Sequence, residues 1–532
     1  MARLFSVMAI VLLGIAFTGY AQESAAEDPA LAPPPVIVDP GPGYADSERL
    51  FQGIPGIERA QNGRLWATWY AGGEGEGPYN YCVLVTSGDD GQTWSNLKMV
   101  VDPPGDVRAF DPCLWVDPTG TLWWFWAQGF SHWDGRAGVW AMTTENPENA
   151  NPAWSEPRRI CDGIMMNKPT VLRSGEWLLP VAIWAFDARV MKDDYAHDIT
   201  ENTGSNVWIS RDQGKTFEFL GRSDVDERQC DEHMIVERKD GSLWTLVRTK
   251  TGLGEAISTD GGKTWTERHV AETVTHIPHA RFFIRRLNSG KLLFVKHDPP
   301  DQKSRSHLKA FLSDDDGKTW YGGLMLDERT SVSYPDGVQA PDGTIYLIYD
   351  WQRGAAKEIL MATFTEEDVA AGEPVSDQVR FRVLINKATG TKAFKYSAND
   401  DGQDLLAGER AAFEPAEGEV DTFKKDAVLF TDRTYKALDV PEFLTEKKFI
   451  RSSIDGAKAA CTTGGVVYVL TPLQNRNKDS VAEELLSQGF VKAKVPEFLL
   501  FGNIEGNIVS AFQKRAEKGE TLSIGKWGVL VF

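Results

Sequence analysis

Ser258-Thr259-Asp260-Gly261-Gly262-Lys263-Thr264-Trp265 reads as Ser, any, Asp, any, Gly, any, Thr, aromatic. The same pattern stands at Ser87–Trp94, Ser210–Phe217 and Ser313–Trp320. Four copies of a five-position pattern in one chain are not chance. The chemistry is that of a hairpin turn: the aspartate accepts backbone N–H bonds, the glycine takes a conformation closed to other residues, and the ring folds back on the sheet. The aspartates are therefore read as structural staples. The run Asp314-Asp315-Asp316 suggests calcium, but the ligand spacing of a calcium loop is absent.

A second repeat runs out of phase with the first. Turn glycines opening apolar segments recur at Gly63, Gly120, Gly175, Gly241, Gly290 and Gly343, spaced 57, 55, 66, 49 and 53 residues apart. Six units of this length, rich in short strands and poor in helical periodicity, predict an all-β chain: a six-bladed β-propeller of four-stranded sheets over residues 44–383. Residues 22–43 are Pro- and Ala-rich and read as a linker, with Pro35–Val38 as a candidate closing strand. Beyond residue 392 the turn repeats stop. Residues 393–532 read as a smaller, mainly-β C-terminal domain with a short helix near Val481–Ser487.

Composition narrows the function. The 532 residues carry 57 Lys and Arg against 76 Asp and Glu, a net charge of −19, which disfavours nucleic acid and anionic lipid as partners. Residues 1–21 have Arg3, an apolar run at Leu4–Phe17, and Gly19 and Ala21 as small residues before a cut. That is the pattern of a secretory signal, predicting an exported protein, periplasmic or extracellular, without membrane insertion. Five scattered cysteines support neither a zinc site nor a disulfide scaffold. No metal or cofactor is predicted, and the oligomeric state is left open.

In a propeller the first strand of each blade begins near the axis. The residues about nine before each repeat glycine fall in Gln52–Pro55, Phe110–Pro112, Asn167–Pro169, Asp231–His233, His279–Arg281 and Ser333–Asp336. This set is unusually polar and predicts a ligand site.

With these motifs the chain resembles the sialidase superfamily of BNR-repeat (Asp-box) propellers over about 340 residues, as a divergent member. The resemblance implies an exo-glycoside hydrolase that uses a Tyr nucleophile paired with a Glu, an acidic proton donor and three arginines on the substrate carboxylate. Tyr334, before Pro335-Asp336, resembles the nucleophile, and Glu232 its partner. Arg248 and Arg305 resemble two of the carboxylate-binding arginines. The family's Arg-Ile-Pro is Gly53-Ile54-Pro55 here, and the expected acid position reads Tyr79-Asn80-Tyr81. Arg281 and Lys168 are the candidates to replace the lost cation. Asp111, Glu74 and Glu76 are the candidates for the acid, with Asp111 taken as catalytic and His279 as substrate-binding. The expected partner is a glycan with a terminal, acidic sugar. The alternatives are a propeller polysaccharide lyase with His279 or His233 as base, and a non-catalytic glycan-binding propeller.

Three further features have plainer readings. His233, His276, His279 and His297 are read as strand-end groups. Trp123-Trp124-Phe125-Trp126 alternates between two faces, with sugar stacking as the minor alternative. Glu366-Glu367-Asp368 is read as a solvated turn.

Overall fold

Each repeat glycine closes a tight turn. Gly63 donates to Ala60 O at 3.0 Å and Gly343 to Ala340 O at 3.1 Å. All six have φ between 86° and 99°, where a side chain is strained. The turn therefore recurs wherever the glycine does, and it fixes the pairing of a leading strand with the strand that follows.

The structure is a computed structural model that describes residues 29–130, 137–184, 202–266, 269–271, 274, 277–391, 402–474, 477–502 and 505–532. Six antiparallel sheets follow in chain order. Their leading strands are Gln52–Arg59, Val107–Val116, Thr170–Val171, Arg228–Glu237, Phe283–Arg286 and Val332–Gln339. Each sheet adds its next three strands in sequence order. Val36–Val38, in the segment read as a linker, pairs with Met99–Val101 as a fifth strand of the first sheet. The first leading strand packs against both the second and the sixth, so the first and last sheets are neighbours. This all-β arrangement of six sheets in series is the one expected of a propeller.

The Asp-box serines end the third strands of the first, third, fourth and fifth sheets. In the fourth box Ser313 Oγ accepts Gly317 N–H at 2.8 Å, and Asp315 accepts Thr319 N–H at 2.9 Å and the Thr319 hydroxyl at 2.7 Å. Of the acidic run, Asp316 accepts Lys239 N–H and pairs with Arg286, so Asp315 and Asp316 serve different neighbours. The ring closing each turn packs inward or across: Trp320 lies 5.0 Å from Phe294, and Phe217 lies 6.3 Å from Trp123 of the preceding sheet.

Trp124 and Trp126 pack into one core cluster, Trp123 and Phe125 into another. All four are buried, so the run joins sheets and presents no ring to a sugar. Glu366-Glu367-Asp368 differs from its expected solvated turn. It opens a helix, Glu366–Ala371, capped by Thr365, and Asp368 is fully buried because it accepts bonds from Thr365, Val375 and Ser376. The five cysteines are free.

The C-terminal residues form a three-stranded sheet and a larger seven-stranded one. A helix spans Ala482–Ser487. No helix among the described residues is long and apolar enough to cross a membrane. The export signal expected at 1–21 lies outside the described residues.

Candidate functional site

In four leading strands the pairing register slips at one equivalent place: between Gly53 and Gly56, Phe110 and Cys113, Asp231 and Met234, and Ser333 and Asp336. Inside each slip, nine residues before the turn glycine, stand Ile54, Asp111, Glu232 and Tyr334, with φ of 58°, 47°, 44° and 56°. Positive φ in non-glycine residues costs on the order of 1–3 kcal/mol each and gathers at functional sites. A bulge re-aims the side chain that the ladder would otherwise place on a sheet face. Met166 and Arg281 hold the same position in the third and fifth units. Ile54, Asp111, Met166, Glu232 and Tyr334 all line one cavity of about 270 Å³.

At its centre Tyr334 Oη donates to Glu232 Oε1 at 2.9 Å. Arg248 Nη1 donates to the same oxygen at 2.5 Å and to Tyr334 Oη at 3.3 Å. Burial, then the Glu232 charge, pushes the Tyr334 phenol well above its ordinary pKa, so it is neutral at physiological pH. Glu232 Oε2 is buried and has no hydrogen-bond partner among the described residues. Arg248 Nη2 donates to His279 Nδ1 at 3.3 Å, which leaves the proton of a neutral imidazole on Nε2. Burial, aided by Arg248, lowers the His279 pKa to about 4. Burial pushes the Asp111 carboxyl up to about 7. Arg108 opposes that shift, and Glu76 and Glu232 add to it.

Among the described residues four arginines line the cavity: Arg108, Arg248, Arg305 and Arg353. Arg305 donates to His279 O at 3.1 Å, and its guanidinium lies 5.8 Å from the Tyr334 ring centre. Arg353 lies over the same ring at 4.9 Å. A Cβ on Gly53 would come within 2.2 Å of Arg353 Cδ and 2.3 Å of its Cγ. Arg353 thus fills the space beside the position where the resemblance expects an arginine. It arrives from the turn after Ile345–Trp351, on another sheet, and pairs with Asp350 at 3.8 Å and with Glu76. Glu76 lines the cavity, while Glu74 lines the adjoining groove. Asn80, at the expected acid position, staples the loop bearing Glu76. Its side-chain amide donates to Gly72 O and Gly75 O at 2.8 and 2.9 Å, and its oxygen accepts Gly77 N–H at 2.8 Å.

The other predicted residues sit elsewhere. Lys168 is a correction to the expected substrate cation: it does not line this cavity. It stands seven residues before its glycine, not nine, and its ammonium is buried among Ile57 O, Leu114 O, Glu58 and Asp336 at 2.5, 2.6, 3.1 and 3.2 Å. Arg281 is held by Asn167 Oδ1 and Met166 O at 2.9 and 3.0 Å, with its guanidinium 5.9 Å from the Tyr334 ring centre. His233 and His297 are buried and bond the Asn206 and Val332 carbonyls, each at 2.8 Å. His276 lies outside the described residues. Arg108, Arg353, Met166 and Trp184 are lining residues that sequence reasoning missed. Met166 was findable by counting back from Gly175. Arg353 carries no motif.

The profile of the BNR repeat-like domain matches residues 63–347, more than half of the chain. Comparison with curated proteins finds no match. Among solved structures, the Hadza microbial sialidase Hz136 is similar at 20% identity and a TM-score of 0.49, over 61% of this chain and 67% of that one. The intramolecular trans-sialidase from Ruminococcus gnavus is similar at 14% identity and 0.47, over 63% and 98%. The Trypanosoma rangeli sialidase is similar at 12% identity and 0.46, over 90% of both chains. By the extent of the profile match, this chain belongs to the BNR repeat-like domain family.

Proposed function

We propose that the protein is an exported, retaining exo-glycoside hydrolase acting on a terminal acidic sugar of a glycan. The observation that carries this reading is the Tyr334–Glu232 hydrogen bond in a cavity lined by Arg108, Arg248, Arg305 and Arg353.

A phenol is a weak nucleophile unless a neighbouring base takes its proton as it attacks. In this reading Glu232, which accepts the Tyr334 hydroxyl at 2.9 Å, is that base. Tyr334 Oη bonds to the anomeric carbon, its proton passes to Glu232, and the glycosidic C–O bond breaks. The leaving oxygen takes a proton from Asp111, which burial keeps protonated up to about neutral pH. Water, deprotonated by Asp111, then attacks the same carbon. The Tyr334–carbon bond breaks, and Glu232 returns the proton to the phenolate. Two displacements retain configuration; the use of Tyr departs from the usual pair of carboxylates. A neutral nucleophile avoids repelling an anionic sugar. Arg248 and Arg305, with Arg353 in place of the missing third arginine, offer planar forks to the carboxylate. Residues 393–532 serve as an accessory domain.

The test is a screen of glycosides ending in sialic, uronic and deoxy sugars, with products read by mass and ultraviolet absorbance. Release of a saturated acidic sugar, lost in Tyr334→Phe and Glu232→Gln, is expected. An unsaturated, ultraviolet-absorbing product means lysis with His279 as base and overturns hydrolysis. Binding without turnover means a glycan-binding propeller.

A further inference from the structure

Arg353 already holds two carboxylates, and they differ in how they are fixed. Asp350 is fully buried on the strand Ile345–Trp351, and its Oδ2 accepts Ile54 N–H at 2.8 Å. It cannot leave without breaking that bond and burying a charge alone. Glu76 rides on the loop between Leu65–Ala71 and Tyr81–Ser87, its side chain 29% exposed. Asn80 staples the base of this loop, but a Cβ on Gly75 or Gly77, on either side of Glu76, would meet nothing within 4 Å among the described residues. One carboxylate is built in. The other sits on a glycine-rich arm at the cavity wall.

We propose that Glu76 is a resident stand-in for the substrate's carboxylate, seated on the Arg353 guanidinium and displaced from it when an acidic sugar binds. The inference rests on the acidic-sugar reading above only for the class of ligand. Exchange of one carboxylate for another keeps Arg353 paired throughout, so its charge is never left against Asp350 alone. It also sets a threshold: a neutral sugar cannot supply the replacement anion, so the arm discriminates by charge as well as by shape.

Calorimetric titration of the full chain with N-acetylneuraminate, glucuronate and galacturonate, and with the methyl ester of each, tests this. Removing a competitor that holds a site about nine-tenths of the time raises apparent affinity roughly tenfold. Glu76→Gln and Glu76→Ala are therefore expected to bind at least one free acid about tenfold tighter than the wild type, with ester binding unchanged. Glu74→Gln removes the same charge from the same loop and leaves the Glu76 carboxylate in place, and a much smaller gain is expected. Equal affinities in wild type and Glu76→Gln, equal changes for acid and ester, or an equal gain in Glu74→Gln each overturn the proposal. Failure of every acid to bind any variant overturns both this proposal and the acidic-sugar reading. Tightening without turnover of any glycoside supports the stand-in and overturns the hydrolase alone.

Discussion

Tyr334 Oη and Glu232 Oε1 are 2.9 Å apart although the residues lie 102 positions apart in the chain. Both stand at positive φ within a strand bulge. The pair acts as one unit in the proposed chemistry. Tyr334→Phe and Glu232→Gln are each expected to lower kcat on the order of 10³-fold or more, and the double variant little further, because residues that act together lose their effect together. Steady-state kinetics with circular dichroism as a folding control checks this. Losses that multiply would show that the two act independently.

Asp111 sets a pH dependence whose sign is fixed. Burial pushes its carboxyl up to about 7, so the proposed proton donor is present below that pH and lost above it. The expected kcat/KM falls about tenfold per pH unit on the alkaline side. Stability follows the same direction. A carboxyl with a raised folded pKa contributes its neutral-state stability fully below the unfolded value of about 3.9, and loses it as pH rises through about 7. Asp111→Asn is expected to raise Tm at pH 8, to leave it nearly unchanged at pH 4, and to abolish turnover at both. Thermal scans and rate profiles across this range check it; a Tm gain equal at both pH values would contradict the assignment.

Gly53 keeps Arg353 in place by having no side chain. Gly53→Ala is expected to push Arg353 off Asp350, costing about 1–3 kcal/mol as an overpacked site does, and to weaken acid-sugar binding more than ester binding. The double variant Gly53→Arg with Arg353→Ala returns a guanidinium from the opposite wall and is expected to recover part of the acid preference. Denaturant melts and the acid-to-ester affinity ratio are the measurements. Wild-type stability and ratio in Gly53→Ala would refute the crowding.

The Asp boxes predict stability without activity. Ser313 is fully buried and bonds both Gly317 N–H and Asp315. Ser313→Ala leaves that N–H unpaired and is expected to cost about 1–3 kcal/mol, with kcat unchanged once folded. Urea unfolding and kinetics separate the two.

Much of the cavity lining was legible in the repeat. Because the turn glycine fixes register, counting back nine residues reaches Asp111, Glu232 and Tyr334, and the same count reaches Ile54 and Met166. Lys168 was misjudged because its Asn-Lys-Pro context looks like a strand start, yet it is two residues out of step and pairs with Glu58 and Asp336 instead. Glu76 was visible only as one of two acids in a glycine-rich loop.

The sequence by itself determined the repeating sheets. Turn and Asp-box chemistry is local, each bond closing within a few residues, so spacing alone dictates it. Only the tertiary structure decided which cations face the phenol. Arg353 and Gly53 are 300 positions apart, and nothing in either segment signals the other. Their complementarity exists only where the sixth sheet meets the first, because a guanidinium enters the space that a missing side chain leaves open.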